Sequence, residues 1–583
     1  MVLFTVCALA QDGSPAETDA ASETAARGRL SVDITNILGE PLASRVDLIP
    51  SGRSGPPLAV RAPEGAIETM CPVGAYTAHV YVYDWDVPVL VDVKDIEVTE
   101  GREAFIVANV SEASGKQHGT RAFDRDGDLV VDRVELEQGT DPDDPADFPG
   151  ARKVPMPKQG VLPGGAGWLR GDLHVRSEHG VGTESVAELI RRAEKADLDF
   201  LAIADRNTMA ACLDPGYKSD KLILIPAMEW GSDELGVGLI YGARTAPMLA
   251  NNMADGQGVV YRVQAQGGIF AVAHPCFPHA PWQRGLRWAN AIQVWTRDWR
   301  GAPPISLDAL NKDLQMRTRD GRLLYSIATA ASTPRLSANG QAAVFWDREL
   351  LSGLMAAPIG GSTSGSPKVP IGEPTTYVYA RERSLDGVLE GLRRGRTFIS
   401  ESPDGPRILL QADILADDRV DIMIGGIVPS EVETRFIVTV QGAKGKKCTV
   451  LRNGRPIQTK IIEMDNFQLR FVEKPSGFNT YRAQVVDTPS SEGFGELEVL
   501  AMTGAIYAQE LLIVDPNLDP TAMWVKLDSS SQAPQYAERQ KTEDGTTFLR
   551  VMPPTQEQML ESGDFQPPEG DVVRPPIVPQ WRY

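Results

Sequence analysis

The chain has 583 residues, with 78 Asp and Glu against 58 Lys and Arg, a formal net charge of −20 and a pI near 4.9. That acidity argues against a nucleic-acid or anionic-membrane partner, since both are themselves negative. The length exceeds one hydrophobic core and, at about 150 residues per domain, implies roughly three to five domains.

Residues 1–28 read as a signal-like segment and a disordered linker. Met1 to Ala10, MVLFTVCALA, is a short apolar run ending in an A-x-A pattern, although no basic segment precedes it. The following stretch is rich in Ala, Ser, Thr and Glu and poor in large apolar residues. A signal peptide implies an extracytoplasmic address: periplasmic, cell-surface or secreted. A frayed amino terminus is the alternative. No other apolar run reaches the length of a bilayer span.

Over 29–112 the pattern becomes short alternating strands, LSVDIT, RVDLIP, AYTAHVYVY and FIVANV, broken by Gly and Pro, which predicts a β-sandwich. The segments LGEPLASRVDLIP and CPVGAYTAHV resemble the regulatory β-domain of some carboxypeptidases. Such domains act as spacers or adhesion modules, which leaves an extracellular protein partner open.

An acidic linker spans 113–163. Within DRDGDLVVDRVE, Asp124, Asp126, Asp128, Asp132 and Glu135 occupy positions one, three, five, nine and twelve of a calcium-loop spacing. Leu129 stands at the sixth position, where glycine normally makes the turn. The stretch resembles the calcium repeats of thrombospondin type 3, and that resemblance implies bound calcium. A solvated acidic linker is the other reading.

From 164 to 406 strands alternate with helices, and apolar runs end abruptly in polar groups. Gly171 begins GDLHVRSEHG, and Thr183 is the expected N-cap of a helix whose apolar stripe is Val186, Leu189, Ile190 and Ala193. Phe200–Ala204 then discharges Asp205, Arg206 and Asn207. Leu222–Ile225 leads to Glu229, Ile269–Ala273 to His274, and Ala357–Ile359 into GGSTSGSP. This describes a β/α barrel with its site on one face. Trp282, Trp288, Trp295 and Trp299 suit either a ligand pocket or loop packing, and Gly301 to Asn339 reads as a lid. Strands return over 407–515 as a second sandwich, with RILLQADI, RFIVTVQG, KCTVLRNG, FQLRFVE and TYRAQVVD, and 516–583 is a Pro-rich extended tail. Cys212 and Cys276 follow two strand ends on one face, where a bridge and free buried thiols are both open.

The order of these strand ends resembles the PHP (polymerase and histidinol phosphatase) metallohydrolase superfamily, in particular its carbaryl-hydrolase-like CehA/McbA branch. GGIFAVAHP, AIQVW and RRGRTFIS add to the resemblance. It implies a multidomain α/β plus all-β chain, a distorted PHP-type barrel flanked by two sandwiches. It also implies as many as three metal ions. His174, Asp205, Glu229 and His274 match the family's positions. Arg176, Arg206 and Val237 stand where the family has His, and Thr363 and Gly365 where it has Asp and His. Arginine offers donors only and cannot coordinate, and the whole chain holds six His. A trinuclear site therefore lacks its ligands.

Two readings follow. In one, a single zinc or manganese is held by His174, Glu229 and His274, with Asp205 orienting a ligand or water, for hydrolysis of an ester, carbamate or phosphoester. His179 would be a further ligand from the first loop. In the favoured reading the site is a relic and the protein binds or scaffolds without catalysis. Arg176 and Arg206 then either take a small anionic ligand at the barrel mouth or pair internally with Asp172, Asp205 or Glu229.

Overall fold

The computed structural model describes residues 26–509, except 53–56, 85–86, 114–118, 158, 234, 248–252, 278–279, 284–285, 298–336, 415–419 and 488–497, and the backbone of three strands beyond 509. The signal-like run, Cys7, His118, His279, Trp299, nearly all of the expected lid and most of the expected tail lie outside the described residues. The chain divides into two units. One runs up to Asp124 and includes Leu129–Gly139; the other holds Arg125–Asp128 and the chain from Thr140 onward.

The first unit is built of strands β1 (Arg27–Asn36), β2 (Ser44–Pro50), β3 (Leu58–Ala62), β4 (Ala66–Pro72), β5 (Gly74–Asp84), β6 (Val87–Val98) and β7 (Glu103–Val110). They form two sheets, ordered β4-β1-β7 and β3-β2-β5-β6. Period-two alternation decides which face is inside: Leu30, Val32 and Ile34 are buried while Arg29 and Asp33 are exposed. Helix α1 (Asp132–Gln138) follows the acidic loop. Leu90 N–H donates to the Leu129 carbonyl and Val131 N–H to the Leu90 carbonyl, which ties the end of that loop to β6.

In the second unit the site-bearing part runs β8 (Gly167–Val175), α2 (Val186–Lys195), β9 (Phe200–Arg206), β10 (Ile223–Ser232), β11 (Gly236–Tyr241), α3 (Met253–Ala265), β12 (Ile269–Val272), β13 (Ala291–Thr296), α4 (Ala338–Leu351), β14 (Ala357–Gly361), β15 (Thr375–Ala380), α5 (Leu385–Arg393) and β16 (Thr397–Ser400). The sheet order is β14-β13-β12-β11-β10-β9-β8-β15-β16. Pairing is parallel for β8–β9–β10 and for β12–β13–β14, and antiparallel at β10–β11–β12 and β8–β15–β16. Strand and helix therefore alternate only in part. Strands β9 and β10 are joined through a 3-10 turn, Ala210–Leu213, and β10 turns directly into β11.

Helix α2 buries the expected stripe of Val186, Leu189, Ile190 and Ala193, but its N-cap is Ser185, whose hydroxyl accepts from Glu188 N–H. Thr183 instead donates its hydroxyl to the Gly365 carbonyl at 3.2 Å. Trp282 and Trp295 are buried in the hydrophobic core, which is the packing alternative for the tryptophans. Cys71, Cys212, Cys276 and Cys448 are all buried thiols outside any disulfide, so the conceivable Cys212–Cys276 bridge is not made.

Beyond β16 come β17 (Arg407–Asp413), β18 (Ile422–Met423), β19 (Ile427–Pro429), β20 (Thr434–Gln441), β21 (Lys447–Arg452), β22 (Arg455–Ile461), β23 (Asn466–Glu473), β24 (Asn479–Asp487), β25 (Glu498–Thr503) and β26 (Ile506–Gln509). Four make a separate sheet, β18-β17-β20-β23. The path β25-β24-β21-β22 continues the site-bearing sheet through the β16–β25 pair, where Ile399 faces Met502. Phe436 stacks on Phe471 and packs against Tyr481 between these layers. Within the segment read as an extended tail, Trp524–Lys526, Ala537–Lys541 and Thr547–Val551 pair as an antiparallel sheet. Among the described residues strands dominate, in several sheets, and helices are few.

Candidate functional site

Strands β8, β9, β10, β12 and β14 bring their polar residues to one place. Glu229 lies inside β10 rather than beyond its end, because antiparallel pairing with β11 carries that strand on to Ser232. Three residues next to these strand ends take positive φ without being glycine: Asn207 (51°) after β9, His274 (28°) after β12 and Thr363 (53°) after β14. Such conformations cost of order 1–3 kcal/mol each and collect where a site holds them. Gly361 must lack a side chain, since a Cβ there would stand 2.6 Å from the His174 Cβ.

Glu229 is the hub. Its side chain is 1% exposed, and Oε1 accepts from Arg176 Nη2 at 3.2 Å and from Arg206 Nη1 at 3.1 Å. Arg206 also donates to Asp233 through its other terminal nitrogen. His274 Nε2 is 3.6 Å from Oε1, and His174 Nε2 is 3.8 Å from Oε2. The two imidazoles lie nearly parallel, with centroids 6.0 Å apart. Burial opposes ionisation of Glu229, but the nearby imidazoles and the Arg176 charge outweigh it and hold the carboxyl well below its usual range. Burial also pushes the His274 imidazole down to about 4. Near neutral pH the centre thus comprises an ionised carboxylate, two guanidinium cations and a neutral His274.

The remaining carboxylates brace the backbone. Asp205 accepts the Ser177 N–H at 2.6 Å and the Ser177 hydroxyl, and burial pushes its carboxyl up. Asp172 accepts backbone N–H groups of His174 (3.1 Å), Ser362 (3.0 Å) and Gly372 (2.8 Å), and burial likewise raises it. Of the three acids open as arginine partners, Glu229 is therefore the one engaged. His179 turns away to Asp214, at 2.8 Å.

Sequence reasoning passed over Gln293 on β13 and Asp233 just after β10. His174 Nδ1 lies 3.1 Å from the Gln293 side-chain oxygen, and its Nε2 has no hydrogen-bond partner among the described residues. Gln293 sits in the apolar run AIQVW, where a lone amide among buried residues was the available signal.

A resident metal fits this donor set poorly. His174, Glu229 and His274 do not draw in as tightly as one ion requires; the group of three candidate ligands that gathers within 4.8 Å, among the described residues, is Asp124, Asp126 and Asp128. An ion on Glu229 would also meet two fixed cations. Unit charges about 4 Å apart repel by roughly 4 kcal/mol at an effective dielectric near 20, and a divalent ion beside two guanidinium groups multiplies that.

In the acidic loop Asp126 Oδ1 accepts the Asp128 N–H, and Asp124 Oδ2 accepts the Leu129 N–H. Leu129 takes the left-handed conformation, φ 72°, at the position where glycine was expected. Asp132 and Glu135 belong to α1 and are not part of the three-carboxylate group.

No family model matches the sequence, and no curated protein matches it. Among the described residues no helix is long and apolar enough to cross a membrane. Among solved structures, the chain is similar to a two-domain protein containing a predicted PHP-like metal-dependent phosphoesterase from Bacteroides vulgatus ATCC 8482. The identity is 14%, covering 60% of this chain and 100% of that one, with a TM-score of 0.30.

Proposed function

We propose that this chain is a non-catalytic relative of the PHP metallohydrolases, of the CehA/McbA type, that serves as a binding or scaffold protein. In this reading the sheet from β8 to β16 is a distorted barrel between two β-sandwiches, and fixed arginine charge has replaced metal charge. The carrying observation is the double engagement of Glu229 Oε1 by Arg176 and Arg206. Both arginines stand where the strand-end motifs of that family place histidine, and both satisfy the carboxylate that a metal would otherwise neutralise.

A second reading, a mononuclear hydrolase of an ester, carbamate or phosphoester, is favoured by one feature: the buried His174 Nε2 that lacks a hydrogen-bond partner among the described residues. Elemental analysis after equilibration with zinc or manganese separates the two. The native chain is expected to retain far less than one ion per molecule, and Arg176→His with Arg206→His to gain metal. Retention of about one ion per native chain, lost on His274→Ala, would establish the hydrolase reading instead.

A further inference from the structure

Helix α4 and the β21–β22 hairpin face each other across a cleft of about 640 Å³, lined by Val344, Arg348 and Leu351 from the helix and Arg452, Arg455 and Ile457 from the hairpin. The hairpin is held in place. Its two turn residues, Asn453 and Gly454, both take positive φ (55° and 73°), as a tight two-residue turn requires. Asn453 donates its side-chain amide to Asn479 Oδ1 and its N–H to the Thr480 carbonyl, and accepts the Thr480 N–H, each at 2.9 Å. A Cβ on Gly454 would stand 3.1 Å from the Asp347 side chain, so the turn seats directly on α4.

The charges around this cleft do not cancel. Asp347, the carboxylate in its lining, is fully engaged by Arg482 through two bonds of 2.7 and 2.8 Å, with both residues buried. Arg452 is answered by Glu473 at 2.7 Å. Arg348 and Arg455 have no ion pair among the described residues. In a chain of net charge −20, this places two uncompensated guanidinium groups on one concave surface. Guanidinium forks match phosphate oxygens in geometry and charge. The volume falls in the roughly 300–1,000 Å³ range of small-ligand pockets, and Val344, Leu351 and Ile457 offer apolar contact to the body of such a ligand.

We propose that this cleft is a binding site for a phosphate monoester with a compact apolar body, the dianion held by Arg348 and Arg455. None of its lining residues belongs to the Glu229 centre, so it stands whether or not that centre is catalytic. The test is calorimetric titration of the full chain with phenyl phosphate. Saturable binding is expected, weakening with added salt, falling about tenfold or more in Arg348→Gln with Arg455→Gln, and tighter than binding of inorganic phosphate. Arg455 is exposed at the turn, so Arg455→Gln alone carries the test if the double variant does not fold. No saturation at millimolar phenyl phosphate, undiminished binding in the folded variants, or equal affinity for inorganic phosphate would overturn the proposal.

Discussion

Glu229 answers two cations with one oxygen, so substitutions on the two sides of that cluster are unequal. Glu229→Gln leaves Arg176 without an ion-pair partner among the described residues and Arg206 with Asp233 alone, and is expected to cost about 3–5 kcal/mol, the penalty for breaking a buried pair from one side. Arg206→Gln leaves Arg176 on the same oxygen and removes a side chain that is 25% exposed, so about 1–2 kcal/mol is expected. Urea denaturation of both variants checks the difference. Equal losses would remove Glu229 from the centre of the cluster. The residue types at these positions are plain in the sequence. Their pairing is not, because along the chain Asp172 lies nearer to Arg176, and Asp205 nearer to Arg206, than Glu229 does, and only the fold turns them onto backbone N–H groups and Ser177.

Among the elements, α4 carries a pH dependence of its own. Burial alone pushes Glu349 up to about 7. Between roughly 4.5 and 7 the folded state keeps a proton that the unfolded chain has released, so this contribution to stability is complete at lower pH and is lost as pH rises through 7. The amount reaches at most about 3 kcal/mol. Glu349→Gln should therefore be more stable than the native chain at pH 8 and lose that advantage near pH 5, as read from urea midpoints. A difference that does not change with pH would show that Glu349 is solvated. Helix α2 shows how far local pattern reaches. Its apolar stripe follows from 3.6-residue periodicity, whereas the cap moved from Thr183 to Ser185 because the Gly365 carbonyl, from the loop after β14, takes the Thr183 hydroxyl.

For the second unit as a whole, the Asp347–Arg482 pair ties α4 to β24 with both partners buried. Arg482→Met is expected to destabilise by about 3–5 kcal/mol, and Asp347→Leu added to it should recover much of that loss, since a buried ion pair and a well-packed apolar pair are often of similar worth. Thermal unfolding of the two single variants and the double variant forms the cycle. Additive losses would mean that the two residues act independently.

Local patterns were enough to read from sequence the strands LSVDIT, RVDLIP and RILLQADI, the stripe of α2 and the polar residues closing β9 and β12, since alternation and turn chemistry are written over a few neighbouring residues. Three outcomes were settled only in the folded molecule: the mixed direction of the site-bearing sheet, the extension of β10 past Glu229, and the choice of Glu229 as the partner of Arg176 and Arg206. Each depends on groups brought together from distant parts of the chain. Strand direction and ion pairing are properties of that meeting rather than of either segment alone.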